Sequence, residues 1–329
     1  MIEIDGSIGE GGGQIMRTAL SLSCILQLPV SISNIRANRP KPGMAAQHLE
    51  VANSLAKICD AKMQGAELGS TAMSFEPGEV RGGNHTFNIP TAGSAVLLSQ
   101  AVLPVLFFAD KVSKVSIKGG THVSFSPTFE YFKYVFLPAI GKIGARAEAQ
   151  IIKYGFYPTG GGEISLDINP SRHFSPLFLS EPSGEIPSAL IISSSLPGHV
   201  AEREKHELLK AFPKVKAETL EVSASCPGNA ITIFSGSAGA CAVGRRGVSA
   251  EKVAQEALTS FQASQGFGAD THLADQLLLY CSLAGGKSEI RTPKITSHTK
   301  TNINIIGKFL TQAKVAQKGD SIFIDGAPI

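Results

Sequence analysis

The strongest constraint on the fold is a rhythm of strand, helix, strand, helix and closing strands, read three times along 329 residues. In the first round Ile2 to Asp5 reads as a strand, Gly6 to Gly13 as a glycine-rich turn, and Gln14 to about Leu26 as a helix that must stop before Pro29. Pro29 to Ile35 follows as a strand, Gly43 to Ala61 as a helix, and Ala72 to Phe75 and His85 to Ile89 as closing strands. The second round runs through the helix TAGSAVLLSQAVLPVLFFA, the strand VSKVSIKGG, a helix from Ser126 to Ile143, and strands near Ala149 to Tyr154 and Gly162 to Ile168. The third begins at Leu273 with LADQLLLYCSLAGG and continues through a strand at Ser288 to Arg291 and a helix from about Thr301 to Leu310.

Between the second and third rounds, Leu179 to Phe267 carries its own strands and two helices, AEREKHELLKAF and SAEKVAQEALTSFQASQ, bounded by EPSGEIP and QGFGA. The reading is therefore an α/β (α+β) chain with a large domain of three βαβαββ-type units, residues 1–178 and 268–329. A small α/β domain, residues 179–267, is inserted into it.

Hydrophobic residues at 43% and charged residues at 17% belong to a chain that folds throughout. A net charge of +3 is too small to mark a nucleic-acid binder, so local clusters must decide. Five scattered cysteines, with no CxxC pair and no apolar leader, point to a reducing compartment, and a cytoplasmic location is expected. No run of eighteen apolar residues occurs, so no membrane partner is expected.

Four segments carry candidate chemistry. Gly9-Glu10-Gly11-Gly12-Gly13 precedes a helix N-terminus, where free N–H groups favour an anion; a carboxylate among phosphates makes sense if it holds Mg²⁺ or Mn²⁺, and a tight turn with a solvated glutamate fits equally. Arg36, Arg39 and Lys41 form an acid-free cationic cluster, and Arg17 opposes the macrodipole of its own helix, which calls for an anionic partner. Tyr154 to Gly162, with three consecutive glycines, demands close approach of backbone or ligand, or is simply a turn. His298 lies at a helix entrance, where a neutral imidazole could attack phosphorus and Lys300 could bind charge; most lone histidines are structural, and there are eight here.

Taken together, GEGGGQIMRTALSLS, IRANRPKPGMAAQH, YGFYPTGGGEI, LADQLLLYCSLAGG and the His298 segment resemble, in order, the RNA 3′-terminal phosphate cyclase family from Ile2 to about Leu310. The resemblance implies three units like the C-terminal domain of translation initiation factor 3, and it makes the insert thioredoxin-like. It also implies an ATP-dependent conversion of an RNA 3′-phosphate to a 2′,3′-cyclic phosphate. His298 would be the adenylated nucleophile and Glu10 the ligand of Mg²⁺ or Mn²⁺. Arg17, Arg36, Arg39, Gln47 and Gln100 would contact phosphates or nucleotide, and Pro127, Asp275 and Gln276 the adenosine end. His272 stands where a bacterial pattern has an adenine-stacking Tyr, and Tyr154 where the family prefers Arg or His. The implied partner is RNA with a 3′-terminal phosphate, and a homodimer is left open. Two other readings compete: a non-catalytic ribosome-biogenesis relative that binds RNA, and an enolpyruvyl-transferase-like enzyme built from similar units.

Overall fold

The computed structural model describes residues 1–9 and 11–329. Its first sheet joins β1 (Ile2–Asp5), β2 (Val30–Ser33), β3 (Lys62–Gln64) and β4 (Met73–Glu76) in the order β1-β2-β4-β3, with α1 (Gly13–Leu26) and α2 (Ala46–Cys59) between strands. Strands β1 and β2 are parallel and the other pairings antiparallel. Strand β3 is short and polar, too weak a pattern to anticipate.

The second sheet holds β5 (Asn84–Asn88), β6 (Ser113–Gly119), β7 (Arg146–Lys153) and β8 (Gly162–Asn169) in the order β5-β6-β8-β7. Its helical segments are α3 (Ala95–Leu106), α4 (Phe129–Tyr131), a π-helical turn (Phe132–Phe136) and α5 (Leu137–Gly141). The segment near His85 to Ile89 opens this sheet, parallel to β6, rather than closing the first; strand length and alternation carry no information about which sheet receives a strand. The helix expected from Ser126 starts later, because Thr128 caps it by accepting from the Tyr131 N–H.

Strand β9 (Phe178–Leu179) is followed by β10 (Ser188–Ser194), α6 (His199–Ala211), β11 (Lys216–Glu221), β12 (Gly228–Ser235), β13 (Ala238–Val243) and α7 (Ala250–Ala263). Strands β10 to β13 form a separate sheet ordered β11-β10-β12-β13. The chain then returns through α8 (Thr271–Leu283), β14 (Gly286–Arg291), α9 (Ser297–Phe309), β15 (Lys314–Lys318) and β16 (Ser321–Gly326). The last sheet reads β9-β14-β16-β15, the first pair parallel and the rest antiparallel. Leu179 therefore pairs with Ile290 of β14 instead of opening the intervening segment.

Strand β6 alternates buried and open positions, the pattern of a sheet covered on one face. The covering helices also pack on one another: α1 lies against α2, α3 and α9, and α8 against α9. Helix α3 is accordingly apolar nearly all round and buried despite Pro104. Edge-to-face contacts of Tyr280 with Phe107, Phe136 and Phe174, at centroid distances of 6.3, 5.9 and 5.9 Å, tie the layers of the second and the last sheet together. The β10–β13 sheet has its own core, including Ile191, Leu208, Ile231 and Phe261. No helix among the described residues is long and apolar enough to cross a membrane.

Within that second core Glu204 of α6 is fully buried; Asn229 Nδ2 donates to its Oε1, and Oε2 has no partner among the described residues. Burial pushes this carboxyl from an ordinary value of 4.5 up to about 7, against the Asn229 hydrogen bond and with help from Glu251. A raised carboxyl pKa favours the folded state at low pH, and that advantage is lost as pH climbs from about 4.5 through about 7. Replacing Glu204 by Gln should thus stabilise the protein by on the order of 2 kcal/mol at pH 8 and by almost nothing at pH 5, read by thermal unfolding at both pH values.

Candidate active site

Packing of α1 against α2, α3 and α9, and of α8 against α9, brings the N-terminal turns of these five helices to one cavity of about 1060 Å³. Each helix carries free N–H groups and a partial positive charge at that end. None of the five has an acidic residue in its first turn, whereas α4, α6 and α7, elsewhere in the chain, carry Glu130, Glu202 and Glu251 there. Arg17, Arg36 and Arg39 add their charges to the wall. The result is a concave site that favours a polyanion.

Ten of the residues named from sequence meet here: Arg17, Arg36, Arg39, Gln47, Gln100, Pro127, His272, Asp275, Gln276 and His298 all line the cavity. Glu10 lies outside the described residues. Lys41 and Lys300 do not line the cavity, and Arg245 is paired with Glu256 at 2.6 Å. Tyr154 sits apart from the cavity, stacked on buried His122 at 5.5 Å, while Tyr157 of the same loop reaches the lip. His122 in turn is bonded to Glu130 at 2.5 Å.

Glycines make this convergence sterically feasible. A Cβ on Gly13 would lie 2.0 Å from His48 Nε2, and one on Gly12 2.9 Å from an Arg39 terminal nitrogen, so the start of α1 must be bare for α2 and the arginine cluster to close on it. In the second glycine run, Gly155 and Gly162 meet backbone to backbone, and Gly160, with φ +66°, has Ala92 Cα 2.8 Å from where a Cβ would stand. Both readings left open for that run hold: residues 157–159 make a turn closed by the Gly160 N–H on Phe156 O, and the flanking backbone approaches closely.

His298 is held by a hydrogen-bond chain that sequence reading did not find. Thr18 Oγ1 donates to Asn302 Oδ1 at 2.7 Å, Asn302 Nδ2 donates to Asp275 Oδ1 at 3.2 Å, and Gln14 Nε2 donates to Asp275 Oδ2 at 2.6 Å. With its amide nitrogen committed to the carboxylate, Gln14 turns its Oε1 to His298 Nδ1 at 2.6 Å, and an acceptor there requires Nδ1 to carry the proton. Burial pushes the Asp275 carboxyl up, opposed by Gln14, His298, Asn302 and His272. Burial likewise draws Arg17 down to about 10, which leaves it charged at neutral pH, and Asp275 works against that shift.

Gln47 Oε1 accepts from the Ser94 N–H at 2.9 Å, and Gln100 Nε2 donates to Gln276 Oε1 at 2.7 Å, so both wall amides are oriented before any ligand enters. His48 has no partner for its buried Nδ1 among the described residues, and burial together with Arg17, Arg36 and Arg39 draws its pKa down to about 3. Its only signal in the sequence is its place beside Gln47 and the cationic cluster.

Two outcomes follow for ring-nitrogen NMR. The neutral ring of His298 should show the Nδ1–H tautomer, and Gln14→Met should return it to a mixture of tautomers without loss of fold. His48 should stay neutral with no titration between pH 5 and 8, because a depressed histidine pKa of about 3 leaves nothing to protonate in that window.

A family model described as RNA 3′-terminal phosphate cyclase matches residues 8–315. The RNA 3′-terminal phosphate cyclase of Archaeoglobus fulgidus is 42% identical over 330 residues, covering 98% of this chain and 100% of the relative. That of Methanococcoides burtonii is 42% identical over 331 residues, with 98% and 99% covered, and that of Methylococcus capsulatus 39% identical over 328 residues, with 94% and 91% covered. Among solved structures, the enolpyruvyl transferase NikO from Streptomyces tendae overlays 99% of this chain and 48% of its own at 11% identity and a TM-score of 0.42, too distant to bear on function. By the extent of the model match and by full-length identity, this chain belongs to the RNA 3′-terminal phosphate cyclase family.

Proposed function

We propose that this protein uses ATP to convert an RNA 3′-phosphate into a 2′,3′-cyclic phosphate, with His298 as the group that receives AMP. The observation that carries this reading is the Asp275–Gln14–His298 chain, which fixes the imidazole of His298 on the wall of a cavity built for anions. In the first step Nε2 attacks the α-phosphorus, a P–N bond forms, and the P–O bond to pyrophosphate breaks. Gln14 stays bonded to Nδ1–H and so stabilises the positive imidazole. Arg17, Arg36 and Arg39 offset the charge of the departing pyrophosphate.

An oxygen of the RNA 3′-phosphate then attacks the same phosphorus and the P–N bond breaks, returning the lone pair to Nε2. Finally the ribose 2′-oxygen, losing its proton to water, attacks the 3′-phosphorus and AMP departs. Pro127, His272 and Gln276 would face the adenosine end, with the imidazole of His272 offering a flat stacking surface. Mg²⁺ or Mn²⁺, held jointly by Glu10 and the substrate phosphates, would neutralise phosphate charge, in keeping with a hard ion that takes few protein ligands. A cytoplasmic setting suits the chain's five free thiols.

We also read the three sheets of like strand order as copies of one unit forming the large domain. The β10–β13 sheet, with its separate core, would then be the inserted thioredoxin-like domain.

Incubation with ATP labelled at the α-phosphate and Mg²⁺ should leave AMP on the protein, and His298→Ala should abolish it. A 3′-phosphorylated oligoribonucleotide should become phosphatase-resistant, while a DNA 3′-phosphate, lacking the 2′-hydroxyl, should stop at the adenylated end. A wild-type protein that takes no label would instead favour a binding role without chemistry. Glu10→Ala should depress labelling and be rescued in part by excess Mn²⁺; labelling indifferent to both the substitution and a chelator would remove Glu10 from the site.

A further inference from the structure

A second depression, of about 370 Å³, opens beside the cavity on the surface of the second sheet and is lined by Thr91, Lys118, Lys153, Thr159, Gly161 and Glu163 among others. It adjoins the cavity along two segments. Thr91 lines the groove and its neighbour Ala92 the cavity; Tyr157 lines the cavity and Thr159 of the same loop the groove. The loop is packed directly on that junction, with Gly160 against Ala92. Of the three glycines that follow Thr159 in this loop, Gly161 and Gly162 add wall to the groove without side chains.

Lys118 on β6 and Lys153 on β7 both stand opposite Glu163 on the strand between them, two strand spacings or roughly 10 Å apart. Glu163 Oε1 instead accepts from Ser116 Oγ at 2.6 Å, and neither lysine has an ion-pair partner among the described residues. A lysine, acid, lysine ladder is not by itself a site, for Lys287, Asp325 and Lys314 repeat it in the last sheet. What distinguishes Lys118 and Lys153 is that their ladder lines a groove adjoining the cavity, whereas Lys287 and Lys314 line neither. At the junction Tyr157 holds its ring 73% exposed, a stacking surface for a base.

We propose that this groove binds the single-stranded RNA backbone 5′ of the reacting end, with the terminal nucleotides passing over Tyr157 and the next phosphates lying between Lys118 and Lys153. The proposal takes its ligand, an RNA end, from the function given above. It makes RNA length a determinant of affinity separate from the 3′-phosphate, which the cavity itself would hold.

The test uses the full chain without ATP and fluorescence anisotropy of a 3′-phosphorylated ten-nucleotide RNA and a 3′-phosphorylated dinucleotide. The pair K118E and K153E should weaken the ten-mer about tenfold and flatten its salt dependence by roughly one unit of log–log slope, while dinucleotide binding and AMP uptake by the protein stay as in wild type. Lys118→Gln with Lys153→Gln should give a smaller loss of the same sign, and K287E with K314E should give none. Tyr157→Ala should also weaken the ten-mer. Ten-mer binding unchanged in both Lys118/Lys153 pairs, or equally reduced in the Lys287/Lys314 control, overturns the groove. A wild type that takes up no AMP, yet binds the ten-mer in a way that depends on the two lysines, would sink the cyclase reading and support the groove.

Discussion

Charge of one sign is concentrated in the cavity by backbone as much as by side chains. Five helix N-termini and three arginines meet over Asp275, and the cost of that concentration is visible in its neighbours: His48 is held neutral and Arg17 is drawn down by burial. Such an arrangement is stable enough to fold because the sheets outside it bury apolar faces continuously, from Ile4 and Ile32 through Ile117 and Leu166 to Ile290 and Ile324. A polyanionic ligand would relieve the repulsion that the fold sets up, so binding energy is stored in the geometry before any ligand arrives.

Asp275 is the pivot between this field and the chemistry. It is one of the few acids near the helix ends, and it accepts from Gln14 and Asn302 at once. A buried carboxylate with two such donors is tolerated where an unpartnered one would not be. Through the fixed amide of Gln14 its orientation is passed to the imidazole of His298, so a residue two hydrogen bonds removed from the ring fixes how that ring is turned. Asp270 plays a quieter part on the same helix: it caps α8 through the His272 and Leu273 N–H groups and takes the Tyr131 hydroxyl, both carboxylate oxygens lying at 2.9 Å.

The glycine runs serve two different kinds of closeness. Gly12 and Gly13 make room for the side chains of Arg39, in the loop before α2, and His48 of α2, while Gly155, Gly160 and Gly162 let backbone meet backbone at the junction of cavity and groove. Phe156, from the same loop, packs on Ile192 and Ala230, and bare Gly228 makes that fit possible, so the loop is anchored to the β10–β13 sheet as well as to the second sheet. The intervening segment therefore touches the site's surroundings through packing, and it also contributes Cys241 and Ser260 to the cavity wall.

Composition and periodicity determined that the chain is α+β, and where α1, α2, α3 and α8 lie to within a few residues, because apolar spacing and the Pro and Gly breakers are local signals. The run of motifs carried the family and named eleven candidate positions, of which ten, His298 among them, line one cavity. Membership of a sheet is not local: His85 to Ile89 and Leu179 pair with strands far along the chain, and only the packed structure assigns them. The same holds for Gln14 and Asn302, ordinary helix polar residues in sequence. Their role arises because α1, α8 and α9 cross at hydrogen-bond distance, with partners 261 and 284 residues apart along the chain. Sequence could name the imidazole; the tertiary structure decided which of its nitrogens carries the proton.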